Sequence, residues 1–162
     1  MGVIIPNAES LRLTAYNLNQ LGAVIVLASG CYDFLHFGHV QHLKKAKSLG
    51  DFLFVSINDD DMIKKLKGSK RPFVIQQYRA EMLSSLRCVD FVYVFSDEYP
   101  TKVINDIKPE IYVKGDEYKD KLIPEQKIVE YNGGKVILLN TMISSSTKLM
   151  KILEENFPNG GD

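Results

Sequence analysis

Residues 23–49 read AVIVLASGCYDFLHFGHVQHLKKAKSL, and this segment determines which architecture the chain adopts. Its first six residues, 23–28, form an apolar run that predicts a buried β-strand. A turn of small residues follows, and within residues 40–49 the apolar positions recur at helical spacing until Gly50 supplies a stop. We therefore expect a strand, a tight turn and a helix in this order, the beginning of a parallel α/β sheet.

Two histidines, His36 and His39, lie three residues apart at the start of the predicted helix, with Gly38 between them. A helix N-terminus carries unpaired backbone N–H groups and a partial positive charge, so it attracts anions. The imidazoles add donors, and the glycine lets a phosphate come close to the backbone. This arrangement predicts a phosphate site. The alternative is that His36 only caps the helix and His39 only packs.

His42 continues the three-residue spacing, which raises the possibility of a transition-metal site. No facing carboxylate or cysteine ligands are evident, and His42 lies about 120° around the helix from His36. We therefore predict no metal ion held by the protein itself. Cys31, in the turn before the histidines, is interpreted as a small buried residue because no base lies at nucleophile spacing.

Bulk properties restrict the class of protein. A chain of 162 residues with 45% hydrophobic content suits a single globular domain. Its 20 basic and 20 acidic side chains cancel, which argues against nucleic acid or an anionic membrane as partner. No apolar run approaches the roughly 20 residues that span a bilayer. Cys31 and Cys88 have no CxxC spacing and no signal peptide precedes them, so we expect a cytoplasmic protein.

Strands and helices alternate along the rest of the chain, which predicts a Rossmann-like, doubly wound, parallel five-stranded α/β sheet in a single domain. Within a domain of residues 1–156, we expect a helical extension at 1–22 and a core at 23–156, followed by a disordered tail at 157–162. The remaining strands are predicted at 52–57, 90–95, 110–113 and 135–139, and the other helices at 8–20, 59–66, 76–86, 100–107, 124–131 and 145–155.

Ligands of such sheets bind beyond the carboxyl ends of the strands, at the topological switch point. The segments 58–60, 114–117 and 140–146 should therefore share a crevice with the histidine turn. Neither a GxxxxGK[ST] loop nor a GxGxxG fingerprint occurs, so another device must hold the phosphates.

Five cations fall within the eight residues 64–71, with no acid among them. Lys67 and Arg71 lie in a loop-like stretch and are candidate phosphate ligands, and Arg79 should join them from the exposed face of the next helix. Lys64, Lys65 and Lys70 are interpreted as solvated surface.

Three further groups are candidates. The hydroxyl run Ser145, Ser146 and Thr147, with Lys148, predicts a second anion cradle, although a plain helix cap would use one of these hydroxyls. The strand-end segment of Lys114, Gly115, Asp116 and Glu117 could bind ribose, a sugar hydroxyl or a metal. Asp33 could hold its turn together or meet a Mg²⁺ ion carried by a nucleotide.

Four stretches, GCYDFLHFGH, KGSKRP with Arg79, VKGDEY and ISSSTK, together resemble the cytidylyltransferase-like nucleotidyltransferase superfamily, which carries HxGH near its start and an ISSTK-like motif near its end. The resemblance covers residues 23–155. Within the superfamily the chain is most similar to the heptose 1-phosphate nucleotidyltransferases, because its stretch NGGKVILLN also follows their pattern.

The resemblance implies transfer of a nucleoside monophosphate from an NTP to a phosphorylated sugar, by in-line attack on the α-phosphorus and release of pyrophosphate. A glycerol 3-phosphate-type cytidylyltransferase and a non-catalytic nucleotide-binding module are the alternatives. The resemblance also implies Mg²⁺ bound through the nucleotide phosphates, and we expect a homodimer. The implied catalytic residues are His36, His39, Lys67 and Arg71, and the implied nucleotide-binding residues are Gly30, Cys31, Tyr32, Asp33, Gly38, Arg79, Lys114, Gly115, Asp116, Ser145, Ser146, Thr147 and Lys148.

Overall fold

The computed structural model describes residues 1–140. These residues form six strands and six helices, with a short 3₁₀ turn at Asp116–Tyr118. The strands are β1 (Val3–Ile5), β2 (Ile25–Gly30), β3 (Phe52–Asn58), β4 (Phe91–Phe95), β5 (Ile111–Gly115) and β6 (Lys135–Leu139). The helices are α1 (Ala8–Gln20), α2 (Phe37–Lys47), α3 (Asp60–Lys67), α4 (Gln76–Ser84), α5 (Thr101–Ile107) and α6 (Gln126–Tyr131).

All six strands pair in parallel in one sheet, in the order β1-β4-β3-β2-β5-β6. From β2 in the middle the chain builds outward through β3 and β4, and it then crosses to the other side of β2 to add β5 and β6. The direction of winding therefore changes between β2 and β5. The carboxyl ends of these two strands mark the switch point where ligands of such sheets bind.

Helices cover both faces of the sheet, which explains why its central strands are apolar at consecutive positions. On one face, Val26 and Ala28 pack with Leu43 of α2 and with residues of α4. On the other face, Ile25 and Leu27 pack with residues of α1, α5 and α6. Alternate side chains of β2 thus enter two separate cores, and the strand is held firmly in the middle of the molecule.

The predicted architecture is confirmed, with one addition. All five predicted strands are present, and β1 is a sixth, so residues 1–22 contain a strand as well as the helix predicted there. β1 pairs with β4 at the edge of the sheet, with Val3 opposite Phe91. Its three residues are too few to show a strand period in the sequence. The predicted helix at 145–155 and the tail at 157–162 lie outside the described residues.

Among residues 1–140, no helix combines the length and the apolar character that crossing a bilayer requires.

Candidate active site

A cavity of about 600 Å³ opens at the carboxyl ends of the strands, within the size range of small-molecule sites. It is lined by residues from both sides of the switch point. The predicted site residues among them are Gly30, Cys31, Tyr32, His36, Gly38, His39, Lys67, Lys114 and Gly115. Segments that the sequence keeps far apart therefore meet at one place, where the prediction put the crevice.

Helix α2 begins in a capping box built from the two histidines. His36 is the N-cap residue, and its Nδ1 accepts a hydrogen bond from the backbone N–H of His39 at 3.4 Å. In return, Nδ1 of His39 accepts from the backbone N–H of His36, also at 3.4 Å. The two rings stack with their centroids 3.8 Å apart. The sequence offered capping by His36 and packing by His39 as the alternative to a phosphate site. The structure shows both the cap and the packing.

The same bonds fix the protonation of both rings. Because each Nδ1 accepts a hydrogen bond, the proton of each neutral ring lies on Nε2. Burial, followed by the charges of His36, His42 and Lys67, lowers the pKa of His39 to about 3, and burial also lowers the pKa of His36. Both imidazoles are therefore neutral near pH 7, and both line the cavity, where an Nε2–H group can donate to a ligand. At His39 a hydrogen bond to the Phe34 backbone opposes the lowering of the pKa.

The turn between β2 and α2 is shaped by Gly30 and Tyr32. Tyr32 has a positive φ of 47°, and its buried ring lies 5.0 Å from the His39 ring. A Cβ at residue 30 would meet the Tyr32 ring at 3.2 Å, a tight contact. Gly30 thus leaves room for Tyr32, and Tyr32 supports the imidazole that faces the cavity.

Asp33 holds a neighbouring loop and not its own turn. Its carboxylate accepts hydrogen bonds from Arg71 Nη1 at 2.6 Å and from the backbone N–H groups of Phe73 and Val74 at 2.6 and 3.2 Å. Burial raises the pKa of this carboxyl, but the bonds from Arg71, Val74 and Phe73 outweigh burial and lower it overall. With these partners in place, Asp33 is a tether for the loop after α3.

Arg71 is the other half of this tether. It pairs with Asp33, and its guanidinium stacks 3.8 Å from the centre of the Phe73 ring. Neither Asp33 nor Arg71 lines the cavity. Lys67, at the end of α3, does line it, and its charge contributes to the lowered pKa of His39.

Arg79 was predicted on an exposed helix face, and this prediction is wrong, since the residue is 0% exposed. Its Nε donates to the Val74 carbonyl at 2.9 Å, and Nη1 donates to the carbonyls of Cys31 at 2.7 Å and Asn58 at 2.9 Å. Nη2 donates to the Asp60 carboxylate at 2.7 Å. Buried carbonyls and a carboxylate need such donors, so the guanidinium ties together the ends of β2 and β3 instead of reaching a ligand.

On the β5 side, Lys114 and Gly115 line the cavity, whereas Asp116 does not. Lys114 pairs with the carboxylate of Glu125 at 2.9 Å. A Cβ at residue 115 would come within 1.9 Å of a Glu117 carboxylate oxygen, so only glycine lets that carboxylate fold over the strand end. Asp116 Oδ1 is buried without a hydrogen-bond partner among the described residues.

Several cavity residues were not among the predicted site residues. They include Ser29, His42, Asn58, Tyr99, Tyr118 and Glu125. Asn58 begins the segment 58–60 that the sequence placed in the crevice, and Ser29 directly precedes the predicted site residue Gly30. Glu125 precedes α6 and comes from a segment with no recognisable motif, so no sequence signal pointed to it. The predicted cradle of Ser145, Ser146, Thr147 and Lys148 lies outside the described residues.

The cavity at the switch point is thus lined by a neutral histidine pair at a helix start and by two lysines, Lys67 and Lys114. Comparison with known proteins identifies the family. The chain belongs to the cytidylyltransferase-like family, whose model matches residues 27–155.

Similar proteins include bifunctional protein HldE from Helicobacter pylori, 47% identical over 116 residues that cover 68% of this chain and 25% of that protein. HldE from Syntrophotalea carbinolica is 40% identical over 139 residues, which cover 86% of this chain and 28% of that protein. The chain thus spans less than a third of the length of these curated relatives.

Two solved structures are similar in fold. The lipopolysaccharide core biosynthesis protein from Thermoplasma volcanium GSS1 is 28% identical with a TM-score of 0.61, covering 76% of this chain and all of that chain. A pantoate-beta-alanine ligase from Francisella tularensis has a TM-score of 0.68, covering 90% of this chain and 69% of that one. At 18% identity, this second likeness shows a shared fold alone.

Proposed function

We propose that this chain transfers a nucleoside monophosphate from an NTP to a phosphorylated sugar of the heptose 1-phosphate type. The observation that carries the proposal is the histidine capping box, which presents two neutral Nε2–H donors at a switch-point cavity. Family membership supports the transfer, and the similarity to a lipopolysaccharide core biosynthesis protein supports a sugar acceptor.

The chemistry needs no general base, because the attacking oxygen of the acceptor phosphate is already an anion. This oxygen forms a bond to the α-phosphorus of the NTP while the bond from that phosphorus to the bridging oxygen breaks. Pyrophosphate leaves in line with the bonding electron pair. Negative charge shifts among the equatorial oxygens, and the Nε2–H groups of His36 and His39 donate hydrogen bonds there.

Cationic side chains would hold the other phosphates. Lys67 lines the cavity and could contact the acceptor phosphate or the triphosphate directly. Arg71 could do so only by leaving Asp33, since its guanidinium is paired with that carboxylate. Ser145, Ser146, Thr147 and Lys148 remain the predicted cradle for the leaving pyrophosphate.

Mg²⁺ is proposed as a companion of the nucleotide. Within residues 1–140, no three His, Cys, Asp or Glu side chains are grouped so that they could hold a metal, and Asp33 already accepts three hydrogen bonds. This donor set fits an ion that arrives on the triphosphate. When bound there, Mg²⁺ offsets the charge of the leaving group.

We also propose a cytoplasmic homodimer that binds neither nucleic acid nor membrane. Cys31 and Cys88 are free thiols, as a reducing compartment favours, and the balanced charge of the chain offers no attraction to polyanions. The edge strand β1 exposes Val3 and Ile4, a surface that a second copy could cover. Light scattering during gel filtration measures the oligomeric state directly.

The test is a pyrophosphate-release assay with each of the four NTPs, in the presence and absence of heptose 1-phosphate, other sugar 1-phosphates and glycerol 3-phosphate. We expect release only with a sugar 1-phosphate and with a clear preference for one base. Binding without release under every condition would favour a non-catalytic nucleotide-binding module. Release with glycerol 3-phosphate alone would reassign the acceptor to a polyol phosphate.

His39→Ala should lower kcat by at least about 100-fold, with KM for the NTP changed much less, because transition-state donors act mainly on the chemical step. Steady-state kinetics at saturating acceptor separates the two parameters. Turnover close to that of the unmodified protein would remove His39 from the mechanism.

A further inference from the structure

A buried series of hydrogen bonds on the β5 side of the cavity ends at Glu125, whose side chain is only 2% exposed. Its Oε1 forms an ion pair with Lys114 Nζ at 2.9 Å and accepts a hydrogen bond from the Tyr112 hydroxyl at 3.0 Å. The Tyr112 hydroxyl is in turn 2.6 Å from Oγ of Ser29, at the end of β2. Strands β2 and β5 thus join at the switch point to hold one carboxylate.

The direction of each hydrogen bond follows from the protonation of Tyr112. Burial and the neighbouring Glu125 carboxylate raise its pKa well above the ordinary value, so its hydroxyl keeps its proton. That single proton points to Glu125, and Ser29 must therefore donate to the Tyr112 oxygen. The Lys114 ammonium and the Tyr112 hydroxyl therefore both lie at Oε1.

The second carboxylate oxygen has no such partner. Glu125 Oε2 is buried and makes no hydrogen bond to any of residues 1–140, although Glu125 lines the cavity. A buried carboxylate oxygen without a partner is costly, and native structures rarely keep one without a reason. The three residues that fix Oε1 also fix Oε2, so this oxygen is a preorganised acceptor.

The chemistry of a carboxylate restricts its partner to an O–H or N–H group. Close to Glu125 a phosphate is disfavoured, because Glu117 and Glu125 line the cavity there against one cation, Lys114. Lys67 lies on the side of β3, the histidine pair is central, and Glu117 and Glu125 lie toward β5, while a third carboxylate, Glu98, follows β4.

We infer that Glu125 is a specificity-determining residue whose Oε2 accepts a hydrogen bond from a neutral O–H or N–H donor of the nucleoside. This inference rests on the proposed function, since an NTP with its α-phosphorus at the histidine pair and its charged tail toward Lys67 has its nucleoside toward β5. The donor is either a ribose hydroxyl or an exocyclic amino group of the base.

The decisive variant is Glu125→Gln, which keeps the shape of the side chain. The amide oxygen can still accept from Lys114 and Tyr112, and this places the amide NH₂ where Oε2 was, so an acceptor becomes a donor. We expect the Kd of the preferred NTP, measured by calorimetry without acceptor, to rise about 10- to 100-fold. The matched control is Glu130→Gln, on the exposed side of α6, which should leave this Kd unchanged.

Nucleotide analogues identify the donor and need no variant. In the unmodified protein, a loss of affinity confined to the 2′-deoxy or 3′-deoxy NTP assigns a ribose hydroxyl. A loss confined to the analogue with a carbonyl in place of the exocyclic amino group assigns the base. In Glu125→Gln, the analogue lacking the critical donor should bind as well as the parent NTP.

Two failures are distinguishable. If the unmodified protein binds an NTP but neither Glu125→Gln nor any analogue changes the Kd, the role of Glu125 is refuted while the proposed function stands. If the unmodified protein binds none of the four NTPs, both are refuted. Circular dichroism of each variant shows that the protein is folded, and the analogue series decides the question if Glu125→Gln is not.

Discussion

His36 has two roles on two different atoms of one ring. Its Nδ1 caps helix α2, and this bond determines that the proton of the neutral ring lies on Nε2, toward the cavity. His39 is held in the same way by the N–H of His36. The structural and catalytic interpretations of the pair are therefore not rivals, because the cap is what orients the donor.

Substitutions at His36 can separate these roles. Asn is a good N-cap but has no donor at the position of Nε2, whereas Ala has neither group. We expect His36→Ala to lose about 1 kcal/mol of unfolding free energy and His36→Asn to lose much less. Both should lower kcat by a similar factor. Urea unfolding and steady-state kinetics measure the two effects, and full turnover in His36→Asn would mean that the ring serves only as a cap.

The histidine pKa values predict how stability depends on pH. Burial lowers the pKa of His39 to about 3 in the folded state, while the unfolded chain binds a proton near pH 6.5. Protonation thus favours unfolding, so this contribution to stability is complete above pH 6.5 and is lost as the pH falls toward 3. Through His39 alone, the free energy of unfolding should fall by about 2 kcal/mol as the pH is lowered from 6.5 to about 5.

Urea unfolding at several pH values measures this loss, and His39→Asn, which cannot titrate, should show a correspondingly weaker dependence. Turnover should show no His39 ionisation near pH 6.5, because the pKa of that ring is about 3 in the folded state. A His39 resonance that titrates near pH 6.5 in the folded protein would contradict the assignment.

At the level of elements, Arg79 of α4 connects the parts that carry the site. It binds the carbonyls that end β2 and β3 and the carboxylate of Asp60, the first residue of α3. Strand ends have unpaired carbonyls, and a buried carbonyl needs a donor. The guanidinium donates four hydrogen bonds, three to carbonyls and one to the Asp60 carboxylate. These bonds hold the histidine turn in place relative to the start of α3.

Arg79→Lys should therefore be strongly destabilising despite keeping the charge, because one ammonium cannot reach partners that a planar fork spans. We expect a loss on the order of 3 kcal/mol in urea unfolding, since the Asp60 carboxylate and the buried carbonyls lose donors. The matched control is Arg12→Lys, whose 3.6 Å pair with Asp106 lies at the surface. It should change stability by less than about 0.5 kcal/mol. Equal effects of the two substitutions would refute the role of Arg79 as a buried clamp.

Sequence reasoning succeeded where the signal is local and failed where it is not. The histidine turn, Lys67 and the end of β5 each carry their chemistry within a few residues of a recognisable strand or helix. Arg79 was misplaced because a charge on a helix is usually solvated, and three of its partners, Cys31, Asn58 and Asp60, lie 19 to 48 residues earlier in the chain. Glu125 was missed for the same reason, since its importance depends on Tyr112 and Lys114, which lie more than ten residues earlier in the chain.

At the scale of the whole molecule, the alternation of apolar strands with helices was enough to predict the doubly wound sheet. Burial on both faces imposes a continuous apolar pattern on β2 and β3, and such patterns are visible in a sequence. Strand β1 has three residues and one buried position, so it has no comparable pattern. Its pairing depends on the exposed edge of β4, which only the folded sheet creates.

The same architecture predicts how the protein responds to removal of divalent metal. Folding of residues 1–140 depends on the two apolar cores, and no three metal-ligating side chains in this part of the chain lie together. EDTA should therefore leave the urea midpoint of the ligand-free protein unchanged. Turnover should cease in EDTA and return with added Mg²⁺, because two neutral imidazoles cannot offset the charge of a leaving pyrophosphate. A lowered urea midpoint in EDTA would indicate a resident metal, and undiminished turnover would indicate that cationic side chains suffice.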